Sequence, residues 1–328
     1  MAAGLLESRW NRLASPRPDR FLRGVALLRR AAAEGSIAGV FAHTGIGHAA
    51  AALALRGGPA PMLRVRADIR PPSRGLAQRW LYTRATDRIL LSGDFMRGVD
   101  LEALAVAPGR AVTLPAGFDR TAAAAIDHPA ARRSLRDGQG WTPEAPVVGM
   151  LARYSPVKGY RDLVTAARIV SDRFGAVRFY AAGPPGQTGR ARVAEWVNEA
   201  GLGAHFALLD RVDDPLAVAA GFDVAVIASR GSEAVCRSAL EYMALGLPIV
   251  ATRVNAIPET IGDAGLLVAP EDPVALAKAI EDLLADEKRR RLLADAAVQR
   301  VREEFDLEKI ARRAAELLAD AARERSAG

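Results

Sequence analysis

The sequence predicts an α/β protein made of two doubly wound domains, and three observations carry that expectation. Short, continuously apolar runs alternate with amphipathic helical stretches almost throughout, the pattern of parallel strands covered by helices on both faces. The alternation is interrupted once, by the Gly- and Pro-punctuated stretch Asp137–Pro146, and then resumes. The chain has 328 residues, and at roughly 100–200 residues per domain that length calls for two.

The elements follow in order. Strands are expected at Ile37–Ala42, Met62–Arg66, Arg88–Leu91 and Ala111–Leu114, separated by helical stretches. After the presumed linker, a second series reads Val147–Ala152, Val177–Ala182, His205–Leu208, Asp223–Ala228, Pro248–Ala251 and Gly265–Val268. From Pro273 onward the sequence is helical. This divides the chain into residues 1–140, 141–305 and a terminal segment 306–328, whose helix is expected to return to the first domain. Two such domains are expected to face each other across a cleft, with ligands beyond the carboxyl ends of the strands. Closure is expected about Asp137–Pro146.

Composition narrows the function classes. No apolar run approaches the ~20 residues of a spanning helix. Met1–Arg20 carries Glu7, Arg9, Arg12 and Arg17 and has no apolar core of a signal peptide. Cys236 is the sole cysteine, which excludes a disulfide framework and a cysteine zinc site and fits a reducing, cytoplasmic location. The net charge of +7 is unevenly spread. Residues 1–140 hold 21 arginines, no lysine and 11 acidic residues, a net of +10, against −3 for the remainder. Such asymmetry points to an anionic partner or to arginine used simply as a solubilising residue. Aromatic residues make up 5% of the chain and do not interleave with basic ones, so nucleic acid is not an expected partner. Two segments, Arg9–Arg30 and Arg70–Arg88, mix arginine with Trp10, Phe21, Leu22, Trp80, Leu81 and Tyr82. That mixture suits the inner face of an anionic membrane as well as an ordinary packed helix.

Four segments of the second half carry a constellation. The first is Gly149-Met-Leu-Ala-Arg-Tyr-Ser-Pro-Val-Lys-Gly159, a strand and a loop bearing Arg153 and Lys158. The second is Ala181-Ala-Gly-Pro-Pro-Gly186, a strand end with a glycine-rich loop containing Gly183. The third runs from Ser229 to Val250 and includes Glu233, Ala234, Val235, Cys236 and Glu241. The fourth is Ile257-Pro-Glu-Thr260 leading to Gly265-Leu-Leu-Val268. In this order, from about Val147 to Phe305, they resemble the nucleotide-sugar-binding domain of family 4 glycosyltransferases, which have the GT-B fold of two Rossmann-like domains.

The resemblance implies a retaining transferase using a nucleoside-diphosphate sugar as co-substrate, with no cofactor and no metal. It assigns Glu233 to the hydroxyls of the transferred sugar and Glu241 to those of the ribose. The residue types suit that chemistry. Negative charge grows on the leaving diphosphate, and fixed cations or N–H groups aimed there are worth on the order of 10²–10³ in rate each. Arg153 offers a guanidinium fork and Lys158 a point charge. A helix opening near Ala234 would add free N–H groups, so Ala234, Val235 and Cys236 join the donor-binding set. If the segment were helical throughout, Glu233 and Glu241 would lie about 12 Å apart along the axis. No Asp-x-Asp triplet occurs, in keeping with protein cations in the place of a metal ion.

Residues Leu63–Asp119 resemble the later part of the acceptor domain in envelope-polysaccharide members of that family. The resemblance rests on Arg64-Val-Arg-Ala-Asp-Ile-Arg-Pro-Pro72, Trp80-Leu-Tyr82, Thr86-Asp-Arg88 and Leu114-Pro-Ala-Gly-Phe-Asp119. It implies a saccharide or lipid-linked acceptor. Where many relatives have a histidine after the strand, this chain has Ala67 and Asp68. The usual opening strand and glycine loop are not recognisable before Phe21, so the first domain reads as abbreviated. Asp68 can orient or deprotonate an acceptor hydroxyl, or cap a strand-end turn. Arg64, Arg66 and Arg70 can meet anionic groups, and strand alternation puts Arg64 and Arg66 on one face, read as outside the core. His43, Gly45 and Gly47 sit at a strand-to-helix turn and complete the acceptor-side set.

Gly45-Ile-Gly-His-Ala-Ala50 is also formally a dinucleotide fingerprint, with Asp68 near the offset of a ribose-binding acid. A second reading is therefore an NAD(P)-dependent oxidoreductase. A third is a non-catalytic nucleotide-sugar-binding protein.

Overall fold

The computed structural model describes residues 17–101, 104–231 and 233–327. The chain divides into two compact units: residues 1–116 with 308–328, and residues 117–307. The N-terminal part of the presumed interfacial segment, Arg9 and Trp10 included, lies outside the described residues.

The first unit holds a parallel four-stranded sheet in the order β1 (Val40–Ala42), β2 (Met62–Arg66), β3 (Arg88–Leu91) and β4 (Ala111–Thr113). One face is covered by α1 (Pro18–Ala33), α2 (Gly45–Ala54) and α3 (Leu76–Thr83), with Met62, Leu91, Leu81 and Tyr82 in the core beneath them. A further helix, α4 (Phe95–Leu101), follows β3. The other face packs Leu63 and Leu90 against Leu317 and Ala321 of the C-terminal helix (Leu307–Ala327). Gly39 keeps room for that helix, because a Cβ there would lie 2.7 Å from Leu318 Cδ1. The helix end is held by Arg325, which donates to Asp87 Oδ1 (2.7 Å) and the Gly58 carbonyl (2.8 Å).

The second unit opens with α5 (Thr121–Ala124) and α6 (His128–Gly138) and holds a parallel six-stranded sheet. Its order is β10-β9-β8-β5-β6-β7, with β5 at Val147–Leu151, β6 at Arg178–Ala182, β7 at Phe206–Leu209, β8 at Val224–Ile227, β9 at Ile249–Thr252 and β10 at Leu266–Val268. Between strands lie α7 (Tyr160–Arg173), α8 (Arg190–Glu199), α9 (Pro215–Ala219), α10 (Arg237–Ala244) and α11 (Ile257–Ile261). After the last strand come α12 (Pro273–Ala285) and α13 (Glu287–Glu304), and the C-terminal helix is α14. Several starts are set by an aspartate cap, often followed by proline. Asp127, Asp214 and Asp272 each accept from the N–H three residues on, and Pro215 and Pro273 occupy the first helical position, where no N–H is needed. The strands are apolar along both faces, with one core on each side of the sheet.

Three expectations are corrected. The units divide at Ala116/Gly117 and not at residue 140. The reason is α6, whose Leu135 joins the second core and whose Arg136 is wholly buried, donating to the Gly221 and Ala145 carbonyls and to Asp223. Asp137–Pro146 therefore lies inside the second unit, and not between the units as expected. Arg64 and Arg66 do share a strand face, but it is the helix-covered one, leaving them only 2% and 3% exposed. Arg64 is satisfied there by the Ala42 and Val65 carbonyls (2.8 and 2.6 Å).

Candidate functional site

In the second sheet the chain builds β5, β6 and β7 outward on one side, then returns to lay β8 on the other side of β5. The reversal between β5 and β8 is a topological switch point. The loops leaving the carboxyl ends of these two strands diverge there, which opens a crevice in doubly wound sheets. Val148 pairs with Val224 and Gly149 with Ala225, so both strands end at the same level.

Lys158 closes a single 3₁₀ turn, Pro156–Lys158, in the loop after β5. Its ammonium contacts Glu233 Oε1 in the loop after β8, and Ser229 Oγ donates to the same carboxylate oxygen. Glu233 is 4% exposed. A carboxylate this buried must be paired and hydrogen-bonded, and both conditions are met. Ser238 lines the same small depression. Glycines allow the loops to close on one another. Gly159 has φ +69°, and a Cβ there would lie 1.8 Å from the Ala228 carbonyl oxygen, which brings the β5 and β8 loops into backbone contact. At Gly183, after β6, a Cβ would lie 1.9 Å from the Ala152 carbonyl oxygen. Gly183 is thus explained by loop-to-loop packing.

The remaining donor-side residues are placed differently from one another. Arg153 is exposed two residues beyond β5, with no hydrogen bond or ion pair among the described residues. Ala234 and Val235 are half-buried beside Glu233. Cys236 is buried, and burial first, then the Glu233 charge, pushes its thiol up to about 12; only its backbone can meet a ligand. The helix expected near Ala234 starts at Arg237, after Cys236. Glu233 therefore lies on a loop, its carbonyl accepting from Ala256 N at 3.0 Å, and the helical spacing of Glu233 and Glu241 does not apply. Glu241 sits inside α10 and accepts from Arg237 Nε at 3.0 Å.

Sequence reasoning passed over Ser229 and Ser238, both within the quoted third segment. It also missed Tyr242, whose hydroxyl accepts from Leu151 N at 2.8 Å and fixes the end of β5. Ser229 was findable: it follows an apolar strand and precedes Glu233 by four residues.

In the first unit, His43 and Asp68 follow the carboxyl ends of the adjacent strands β1 and β2. His43 is exposed. Asp68 accepts two bonds from Arg66 Nη1 (2.7 and 2.8 Å) and a longer one from Arg64 (3.4 Å). Arg66 also donates to the Arg70 carbonyl at 2.8 Å, and the Arg70 side chain is exposed. Gly45 and Gly47 open α2 under a Thr44 cap, whose Oγ1 accepts from Gly47 N at 3.1 Å. A Cβ at Gly45 would meet nothing within 4 Å, and neither glycine is among those with positive φ. The two features that make such glycines obligatory in a dinucleotide loop, a strained turn and close approach of another backbone, are missing here, and the presumed ribose acid is bound to Arg66.

Comparison with known proteins agrees with the fold. Residues 145–286 match the family described as Glycosyl transferases group 1. The chain is 31% identical over 178 residues to a D-inositol 3-phosphate glycosyltransferase of Corynebacterium urealyticum, covering 52% of this chain and 41% of that protein. It is 36% identical over 160 residues to a 2-deoxystreptamine N-acetyl-D-glucosaminyltransferase of Streptomyces fradiae, covering 47% and 37%. The matched regions thus span less than half of these two relatives' length. Among solved structures, a glycosyltransferase from Rickettsia africae superposes with a TM-score of 0.82 at 18% identity, covering 94% of this chain and 83% of the other. HepE of Anabaena in complex with UDP superposes with a TM-score of 0.80 at 21% identity, covering 91% and 82%. Residues 145–286 therefore match a group 1 glycosyltransferase domain, and the chain has the GT-B fold of the glycosyltransferase structures on which it superposes.

Proposed function

We propose that the protein transfers a sugar from a nucleoside-diphosphate donor to a saccharide or lipid-linked acceptor. The transfer proceeds with retention at the anomeric carbon and without a metal ion, in cell-envelope polysaccharide synthesis. The observation that carries this reading is the convergence of Lys158, Glu233 and Ser229 from the loops after β5 and β8.

In this reading the ammonium of Lys158 leaves Glu233 when the donor enters and turns to the diphosphate. Arg153, already unengaged, swings onto the same phosphates. Together they hold the charge that accumulates on the leaving β-phosphate, the role a metal ion would otherwise fill. Glu233, freed of one bond, accepts from hydroxyls of the transferred sugar, and Glu241 exchanges Arg237 for the ribose. On the acceptor side, Asp68 orients the attacking hydroxyl while Arg66 holds the carboxylate in place. His43 and Arg70 contact the acceptor from the same strand ends, where Gly45 and Gly47 leave the surface open. Support for a nucleotide donor comes also from HepE of Anabaena, solved with UDP-glucose.

The test is a thermal-shift screen against UDP, GDP, ADP, CDP, their sugar conjugates and NAD(P), without added metal. A ligand that binds only the folded state stabilises it by about 2.7 kcal/mol at a hundred times its dissociation constant. Stabilisation by one nucleoside diphosphate, lost in Glu241→Ala, is expected. Stabilisation by NAD(P) alone would return the oxidoreductase reading. Product stereochemistry by NMR then decides retention.

A further inference from the structure

Between Asp68 and Asp87 the chain has no acidic residue and four arginines, Arg70, Arg74, Arg79 and Arg84. All four are exposed, and none of their side chains has a hydrogen bond or ion pair among the described residues. Several other helical arginines pair with an acid four residues on, as Arg30 with Glu34 and Arg300 with Glu304, and the segment between Asp68 and Asp87 offers no such acid.

The same segment exposes apolar side chains. Leu76 is 86% exposed and Trp80 37%, and Ile69 lies exposed in the loop before them. On α3, Leu76, Arg79, Trp80, Thr83 and Arg84 are spaced by three and four residues and so form one stripe. The opposite side of the helix carries Leu81 and Tyr82, buried in the core of the first unit. The outward stripe is thus presented by a rigidly seated helix.

We propose that this stripe docks the first unit onto an anionic phospholipid surface. Leu76 and Trp80 enter the interfacial layer, and the guanidinium groups meet lipid phosphates. Charge complementarity selects the partner, since four unpaired cations without an intervening acid call for a dense field of negative charge. The apolar groups project between charges, which suits a fluid layer that closes around them. Tryptophan suits the depth where ring and headgroup meet. Among the described residues no helix is long and apolar enough to cross a membrane, so attachment by this stripe is peripheral and reversible.

Co-sedimentation with vesicles tests the proposal. The full chain should pellet with vesicles of equal parts phosphatidylglycerol and phosphatidylcholine at low salt, release at high salt, and stay in solution with phosphatidylcholine alone. Leu76→Ser with Trp80→Ser should abolish pelleting while the circular dichroism stays that of the folded chain, and Leu76→Ser alone, at a side chain 86% exposed, should weaken pelleting at an unchanged melting temperature. Arg74→Ala with Arg79→Ala should weaken the partition by roughly fivefold per arginine removed. A wild-type chain that ignores anionic vesicles, or a Leu76/Trp80 variant that pellets undiminished, overturns the proposal. So does binding to an acidic protein such as soluble polyglutamate in place of vesicles. The nucleotide thermal shift, read on the same samples, reports on the second unit separately.

Discussion

Arg136 donates through Nη2 to Asp223 Oδ2 at 2.7 Å, and the same oxygen accepts from Val147 N at 2.7 Å. One carboxylate thus joins α6 to the starts of β5 and β8, at the opposite end of those strands from the candidate site. Breaking a buried pair leaves a charge without its partner. Arg136→Ala is expected to lower unfolding stability by about 3 kcal/mol, read as a reduced urea midpoint. The nucleotide-induced thermal shift should persist at a temperature where the variant is folded.

Lys158 and Glu233 should behave as a coupled pair. Lys158→Ala leaves a buried carboxylate facing Ser229 alone, whereas Lys158→Ala with Glu233→Gln removes that charge as well. The double variant is expected to melt closer to the wild type than Lys158→Ala does. Both should lose transfer activity by on the order of 10²-fold or more. Additive melting shifts would mean that the pair is not formed in solution.

Gly159→Ala should unseat the β5 loop. The new Cβ faces a carbonyl oxygen 1.8 Å away and a φ of +69°. The left-handed conformation alone costs an L-residue about 1–2 kcal/mol. Loss of nucleotide binding is the expected result in calorimetry, with Gly45→Ala as the contrasting variant that leaves the fold undisturbed.

His48 gives a pH dependence. It is fully buried under α3, with Nε2 2.6 Å from Thr86 Oγ1 and its ring edge-on to Tyr82. Burial first, then Arg64 and Arg66, lowers its pKa to about 3 from 6.5. The unfolded chain therefore binds the proton more readily than the folded one between those values. The stability this neutral imidazole supports is complete above pH 6.5 and declines as pH falls toward 3, with a slope of up to about 1.4 kcal/mol per pH unit. Chemical denaturation across that range should show a shallower acid decline for His48→Gln than for the wild type.

The strands were legible because apolar, β-branched runs bounded by turn residues leave few alternatives. The expected Met62–Arg66 and Arg88–Leu91 are β2 and β3 as observed. The start of α10 was not legible, because Cys236 supplies no side-chain cap and a long-range bond from Ala256 holds Glu233 on a loop. Alternation put Arg64 and Arg66 on one face but could not say which face the helices cover. Residues 139–146 have the composition of a linker, and only the reach of Arg136 back to the Ala145 carbonyl makes them a turn within a domain. At the candidate site the loop residues were visible as a motif. Their convergence depends on strand order, which one sequence does not encode locally.

The path of α14 bears on how the chain is made. Leu63 and Leu90 are synthesised before residues 117–307, and the residues that cover them, Leu317 and Ala321, only after. Residues 117–307 form one uninterrupted stretch and can complete their fold in the meantime. All residues of the second unit are therefore available before those of the first, the reverse of the usual N-to-C order in which domains are completed during synthesis. Until α14 is made, the apolar face of the first sheet that carries Leu63 and Leu90 lacks its cover, and exposed apolar surface of that kind is open to aggregation.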